Sequence, residues 1–361
     1  MHYKGKTMFS ILDRYIGKTI LNTIGICLFL LISLSGIIRF IDQLRKIKED
    51  YDAFSVGFYS LLMVPKDLEV FFPMAALLGG LIGLGILASR SELIVMETSG
   101  FSRFKIALAV MKTALPLVIL TMAIGEWVAP ISEQTARNMR SERLYGNSLL
   151  ARQGSLWAKD GNDYVYIGHV DNDSSISNID IYSVDKNKLL SITHANRGVF
   201  ENDVWTLSEI EKNDLTNPDQ ITSINSLTMQ WKTNITPDKL SIVAFDPDSL
   251  SASGLYQYSQ YLKDSGQDTK YYDLLFWKKL IKPVSVAVML LLALSFIFGP
   301  LRSVSMGVRM IIGISFGFIF YIADNLFAQV SIVMGIYPIV GSMLTSLVFL
   351  LISYILFKRK N

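Results

Sequence analysis

The stretch TILNTIGICLFLLISLSGII, residues 19–38, carries no charged side chain. Roughly 20 consecutive apolar residues are what a helix needs to cross a bilayer core, so this segment sets the class of the chain. Val70–Ser89 and Pro283–Leu301 are also free of charge. Ile106–Ile124 is interrupted only by Lys112, whose long stem can carry its ammonium to the headgroups. From Met310 to Phe357 the one charge is Asp324, and the segment is long enough for two spans with Gly335-Ile336-Tyr337-Pro338 as the turn between them. Six spans are expected, three on each side of a polar insertion.

That insertion divides the chain into residues 1–131, 132–271 and 272–361. Residues 132–270 hold 19 Asp and Glu against 13 Lys and Arg, a net −6, while the whole chain is +3. The charge is therefore segregated, and the insertion is not the basic surface of a nucleic-acid binder. Hydrophobic residues make up 51% of the chain and mean hydropathy is +0.37, as suits a polytopic protein with a water-facing module attached. The single cysteine, Cys27, lies inside the first span, so the insertion has no disulfide. A buried lone cysteine ordinarily acts as a small apolar residue.

Orientation follows from basic residues in the short loops. Residues 1–18, 89–105, 302–309 and 358–361 share one side and are rich in Lys and Arg, including Arg14, Lys18, Arg90, Arg103, Arg309 and Lys358. That side is expected to be cytoplasmic, which turns the insertion outward. No small-residue cleavage site follows the first apolar run, so it reads as a retained signal anchor.

The insertion reads as all-β. Leu227, Met229 and Trp231 alternate with Thr228, Gln230 and Lys232, the period of a strand with one buried face. Tyr164–Ile167, Ile179–Ile181, Val204–Leu207 and Ser241–Phe245 are further candidates, with turn residues at Asp160–Asp163, Asp171–Asp173 and Asn217–Asp219. A sandwich or jelly roll would pack such strands. A plain β core and one holding lipid chains between sheets give the same alternation.

Nucleotide and catalytic motifs are missing or incomplete. Gly17-Lys18-Thr19 has the end of a P-loop, yet the glycine required five positions before Gly17 is Leu12. His2, His169 and His194 show no ligand spacing, and no GxSxG elbow occurs. The expectation is a protein without cofactor, metal or catalysis of its own.

Two groups of residues stand out. Basic side chains gather at the outer span ends, where the orientation rule does not call for them: Arg39, Arg45, Lys46, Lys48, Lys66, Arg137, Arg140, Arg143, Lys278, Lys279 and Lys282. An anionic lipid headgroup would favour them. Local ion pairs, Glu133 with Arg137, Asp42 with Arg45, Asp67 and Glu69 with Lys66, account for many of the same residues. On the cytoplasmic side, Ser89-Arg90-Ser91-Glu92 fits a capping box with Ser89 at the N-cap, and Gly100 can close the short helix, about residues 90–99. Its Leu93, Ile94, Val95 and Met96 are too apolar for a solvated loop. They suit either the membrane surface or a groove on a partner.

Leu12–Thr19, Ser91–Met96, Gly125–Pro130, Ser295–Arg302 and Met306–Arg309 resemble the lipopolysaccharide export permeases of the LptF/LptG family, and the likeness runs over nearly the whole chain. The opening motif and Gly125–Pro130 favour one paralogue over the other. The resemblance implies an inner-membrane ABC exporter in which two paralogous permeases pair, with an LptB ATPase dimer using the ATP and LptC associated. It implies extraction of lipopolysaccharide toward a periplasmic bridge, a periplasmic β-jelly roll, and a coupling helix in which Glu92, Leu93 and Met96 meet the ATPase. Basic residues matching Arg39, Arg45, Lys46, Lys66, Arg137 and Arg140 would face substrate phosphates, and the first and fifth spans would form lateral gates. Arg39 stands where related chains often have Lys.

Two readings from other classes compete with this one. A membrane-anchored scaffold or sensor would use its spans only as anchors, whereas Gly79, Gly80, Gly83, Gly85, Gly313 and Gly317 favour close helix packing and movement. An ion-coupled transporter wants mid-span carboxylates, and only Glu126 and Asp324 come near.

Overall fold

The computed structural model describes residues 11–48, 50–145, 156–172, 174–185, 188–201, 203–217, 220–233, 235–237, 247–301 and 304–358. The strand expected at Ser241–Phe245, the turn residues Asp173, Pro218 and Asp219, and the basic residues Lys4, Lys6, Arg302, Arg359 and Lys360 lie outside them. Two compact units result: Met1–Gln43 with Ser60–Ser132 and Asp273–Asn361, and Leu44–Tyr59 with Glu133–Tyr272.

Among the described residues six helices have the length and apolar composition of membrane spans: Ile11–Leu44, Val64–Ser89, Arg103–Leu144, Lys270–Phe298, Met306–Val333 and Pro338–Lys358. Among the described residues the main helices are, in chain order, α1 (Ile11–Leu44), α2 (Ala53–Leu62), α3 (Val64–Ser89), α4 (Glu92–Thr98), α5 (Arg103–Ala123), α6 (Ala129–Tyr145), α7 (Ala252–Asp264), α8 (Lys270–Phe298), α9 (Met306–Val333) and α10 (Pro338–Lys358). A π-helical turn, Ile124–Val128, joins α5 to α6. Between α9 and α10, Gly335 takes φ +66° and its N–H bonds the Ile332 carbonyl, so the expected turn is present.

The first unit is organised around α3. In its apolar window 72% of residues are buried, against 11% for α1 and 22% for α9, which leaves those two helices with broad outward faces. Glycines make the close packing possible. A Cβ at Gly79 would lie 2.5 Å from the Ile24 backbone of α1, and one at Gly80 would lie 3.0 Å from Ala293 of α8. Gly313 and Gly317 of α9 face Leu78, Leu81 and Met74 of α3, so this small-residue pair is used inside the chain. Among lipid tails packing and hydrogen bonds replace hydrophobic drive. Thr23 Oγ1 donates to the Gly79 carbonyl at 2.7 Å, and Ser285 and Ser295 of α8 meet Ser346 and Ser353 of α10 at 3.0 and 2.7 Å. Buried Arg309 donates to the carbonyls of Gly85 and Leu301. Gly79→Ala is expected to cost about 1–3 kcal/mol through forced separation of α1 and α3. Gly25→Ala, with open space at its Cβ, should stabilise by about 0.5–1 kcal/mol. Thermal unfolding of the two variants in detergent tests the contrast.

In the second unit one antiparallel sheet holds β1 (Leu156–Asp160), β2 (Asp163–Asn172), β3 (Ser175–Asp185), β4 (Lys188–Glu201), β5 (Val204–Asp214) and β6 (Thr222–Trp231), each paired with its chain neighbours. The insertion is all-β as expected. Its described strands run up and down in sequence, without Greek-key crossings. Val165 opposite Ile181, Ile167 opposite Ile179 and Ile179 opposite Ala195 fill one face. Trp205, 1% exposed, donates from Nε1 to the Ile235 carbonyl at 2.7 Å. Gly161 at φ +60° makes the two-residue β1–β2 turn.

Sequence alternation found the inward face of β6, where Trp231 is buried and Met229 packs on the core, but extended it too far. Leu227 is 84% exposed, and on β6 only the Trp231 end is buried. It also missed β4, whose inward positions are Ser191, Thr193, Ala195 and Gly198, too small and polar to register as an apolar stripe.

On β4, His194 Nδ1 lies 2.6 Å from Asp180 Oδ1 and Nε2 lies 3.3 Å from Asn196 Oδ1, with Glu211 on the adjoining strand. The Asp180 hydrogen bond is the chief reason the imidazole pKa is raised. The resulting stabilisation is complete below the unfolded pKa of about 6.5 and is lost as pH rises through the folded value. Hydrogen exchange of β3 and β4 in the full chain, corrected for intrinsic rates, should therefore show less protection at pH 8 than at pH 5.5. His194→Gln should remove the difference.

Candidate functional site: two ends of the helical unit

Chain topology puts the C-terminal end of α1 and the N-terminal ends of α3 and α8 on the side that leads into the insertion. On that side Arg39 of α1 grips Asp67 of α3 through two bonds, Nη1 to Oδ2 at 2.8 Å and Nη2 to Oδ1 at 2.5 Å. Glu69 of α3 receives Lys282 at 2.5 Å and Lys279 at 3.5 Å, both from α8. Lys278 pairs with Asp324 of α9 at 2.8 Å. These three lysines, expected ahead of the fourth span, are inside its helix.

The local pairing read from sequence is thus only partly right. Asp67 and Glu69 pair across helices to Arg39 and to Lys279 with Lys282. Residues two apart on a helix point about 200° from each other, and adjacent ones do not face, so Lys66 cannot serve both carboxylates. Glu133 and Arg137 do pair at i,i+4, with Nη2 to Oε1 at 2.7 Å and the Glu133 side chain buried.

The same ion cluster shapes the backbone. A Cβ at Gly125 would meet the Glu69 carboxyl carbon at 2.8 Å, and Lys279 Nζ reaches the Gly125 carbonyl at 3.5 Å. A side chain at Gly125 would push the Glu69 carboxylate aside, and the chain passes it in the π-helical turn of the Gly125–Pro130 motif. Such turns recur at functional positions.

Arg45 and Lys46 are exposed in the turn after α1, and Lys66 is half-buried in α3. Arg45 has no carboxylate partner among the described residues. Arg140 lies 5.7 Å from the Tyr59 ring, and its buried Nε has no hydrogen-bond partner among the described residues. Arg143 donates to Ser55 Oγ and lies 3.8 Å from Asp52.

The opposite side carries α4. The expected capping box is absent: Ser89 Oγ donates backward to the Ile86 carbonyl, the N-cap is Ser91 at φ +61°, and Glu92 is the first helical residue. A left-handed Ser91 is strained and turns the chain sharply between α3 and α4. Gly100 closes the helix as expected, at φ +88°, with Gly100 N–H to Glu97 and Phe101 N–H to Met96, the Schellman pattern.

Leu93 and Met96 are 3% and 7% exposed and belong to the helical core. They seat α4 on the bundle, and the outward face consists of Ile94, Val95 and half-buried Glu92. Glu92 Oε2 accepts from Tyr15 Oη at 2.8 Å, and Arg90 lies 3.9 Å from Oε1.

Six spans built for close packing, an inserted β domain, a cationic fringe on one side and an apolar cap helix on the other define a multi-pass membrane protein. Residues 14–359 match the lipopolysaccharide export system permease LptF/LptG family, and the chain belongs to that family. Its sequence is 58% identical over 357 residues to the lipopolysaccharide export system permease protein LptG of Escherichia coli strain K12, covering 98% of this chain and 99% of that one. Identity to the LptG protein of Haemophilus influenzae strain KW20 Rd is 48% over 358 residues, covering 98% and 100%.

Proposed function

We propose that the chain is the transmembrane permease subunit of an ABC-type exporter that takes lipopolysaccharide from the outer leaflet of the bacterial inner membrane toward a periplasmic bridge. The match to the permease family from residue 14 to residue 359 carries this reading. In it the chain pairs with an LptF paralogue and receives work from an LptB ATPase dimer, with LptC associated, and needs no cofactor of its own.

Arg39, Arg45, Lys46, Lys66, Arg137 and Arg140 meet the substrate phosphates. Glu92 with its neighbours Ile94 and Val95 meets the ATPase, on a helix seated by Leu93 and Met96. The sparsely buried α1 and α9 supply gate surfaces toward the paralogue.

Purification of the full chain from its host in mild detergent, with mass spectrometry of what accompanies it, tests the reading. An ATPase and a phosphorylated glycolipid in the complex are the expected result. Purification with neither would overturn it.

A further inference from the structure

Arg39 and Asp67 tie the first span to the second at the insertion side, with side chains 18% and 7% exposed. Both terminal nitrogens of the guanidinium are engaged by the two carboxylate oxygens. Carboxylate and phosphate seek the same planar fork of donors. A phosphate can therefore take that fork only by displacing Asp67.

We propose that Asp67 is an internal competitor for the lipid phosphate at Arg39. The inference rests on the reading that Arg39 meets phosphate, and it assigns a role to a residue that reading leaves out. With no lipid bound, Asp67 neutralises a cation that would otherwise stand alone among apolar helices, and it latches α1 to α3. Arriving phosphate takes over Arg39 and frees the latch. The displaced carboxylate then repels the phosphate from close range, which keeps binding reversible, as a carrier requires. Asp67 is thus a positioning residue that sets how long the lipid stays.

The test uses the full chain in nanodiscs and bisphosphorylated lipid A as the probe, with the dissociation rate as readout. Asp67→Asn keeps the shape and removes the charge, and release should slow by about tenfold, the scale of one close like charge removed. Asp67→Glu should release near the wild-type rate. Adding Arg39→Gln to Asp67→Asn should abolish the slowing. If Asp67→Asn fails to insert, Asp67→Ser carries the same expectation. Excess phosphatidylglycerol should chase the probe more slowly from Asp67→Asn than from wild type.

Unchanged or faster release from Asp67→Asn, with a lowered melting temperature, would mean the pair is structural only and would overturn the proposal. Failure of the wild-type chain to bind the probe would instead defeat the lipid-carrier reading itself.

Discussion

The double variant Lys66→Glu with Arg140→Glu is expected to lose on the order of 1000-fold in lipid co-purification while still folding and assembling. Each reversal removes a contact to phosphate and adds repulsion, and truncating one partner of a desolvated charge pair costs about 2 kcal/mol or more. Two such losses combine to roughly the stated factor. Arg140 has no carboxylate salt bridge among the described residues, in contrast to Arg39 and Arg137, whose reversal would also break an internal pair. Arg140 in addition holds a buried Nε without a partner among the described residues. Mass-spectrometric lipid occupancy is the readout, and occupancy equal to wild type would remove the basic fringe from the mechanism.

Glu92→Gln should uncouple ATP hydrolysis from lipid movement. The competing explanation, a capping residue, is gone: Glu92 is the first residue of α4, and no side chain caps its N-terminus. Within the chain Glu92 touches exposed Tyr15 and, at longer range, Arg90. Gln can still accept from the Tyr15 hydroxyl, and an exposed ion pair is worth at most about 1 kcal/mol, so folding should hardly change. Loss of a carboxylate from a partner groove should cost about 2–5 kcal/mol, a fall in coupled transport of about 30-fold or more. Tyr15→Phe, which removes the internal bond and leaves the carboxylate, should keep transport within a few-fold of wild type. Full coupling in Glu92→Gln would make the carboxylate a surface charge only.

The spans were legible because lipid leaves the sequence little freedom. A helix in hydrocarbon must be apolar around its whole circumference, so length and absence of charge suffice to find Thr19–Ile38 or Val70–Ser89. Which side of a span faces which neighbour is another matter. Gly313 and Gly317 have the spacing of an interface between chains, yet they receive α3 of their own chain. The spacing is the same for both uses.

Ion pairs were legible only when local. Glu133 to Arg137 follows from helical periodicity, while Glu69 to Lys282 joins residues 213 positions apart and needs the bundle to exist. In the β unit, alternation marks strands whose inward residues are large, such as Val165 and Ile167, and misses β4, where the core is reached by Ser191, Thr193 and Ala195. Leu93 and Met96 were recognised as too apolar for a loop, and burial in the bundle satisfies that apolarity without a partner. The other face of the same helix, with Ile94 and Val95, stays exposed.

The central claim is that this chain moves lipopolysaccharide out of the inner membrane. Depletion of the chain in its host, followed by pulse labelling of newly made lipopolysaccharide and separation of the two membranes, tests it most directly. The account predicts that labelled lipopolysaccharide accumulates in the inner membrane and that re-expression of the wild-type chain, but not of Lys66→Glu with Arg140→Glu, restores its passage. Labelled lipopolysaccharide reaching the outer membrane at an undiminished rate in depleted cells would contradict the account.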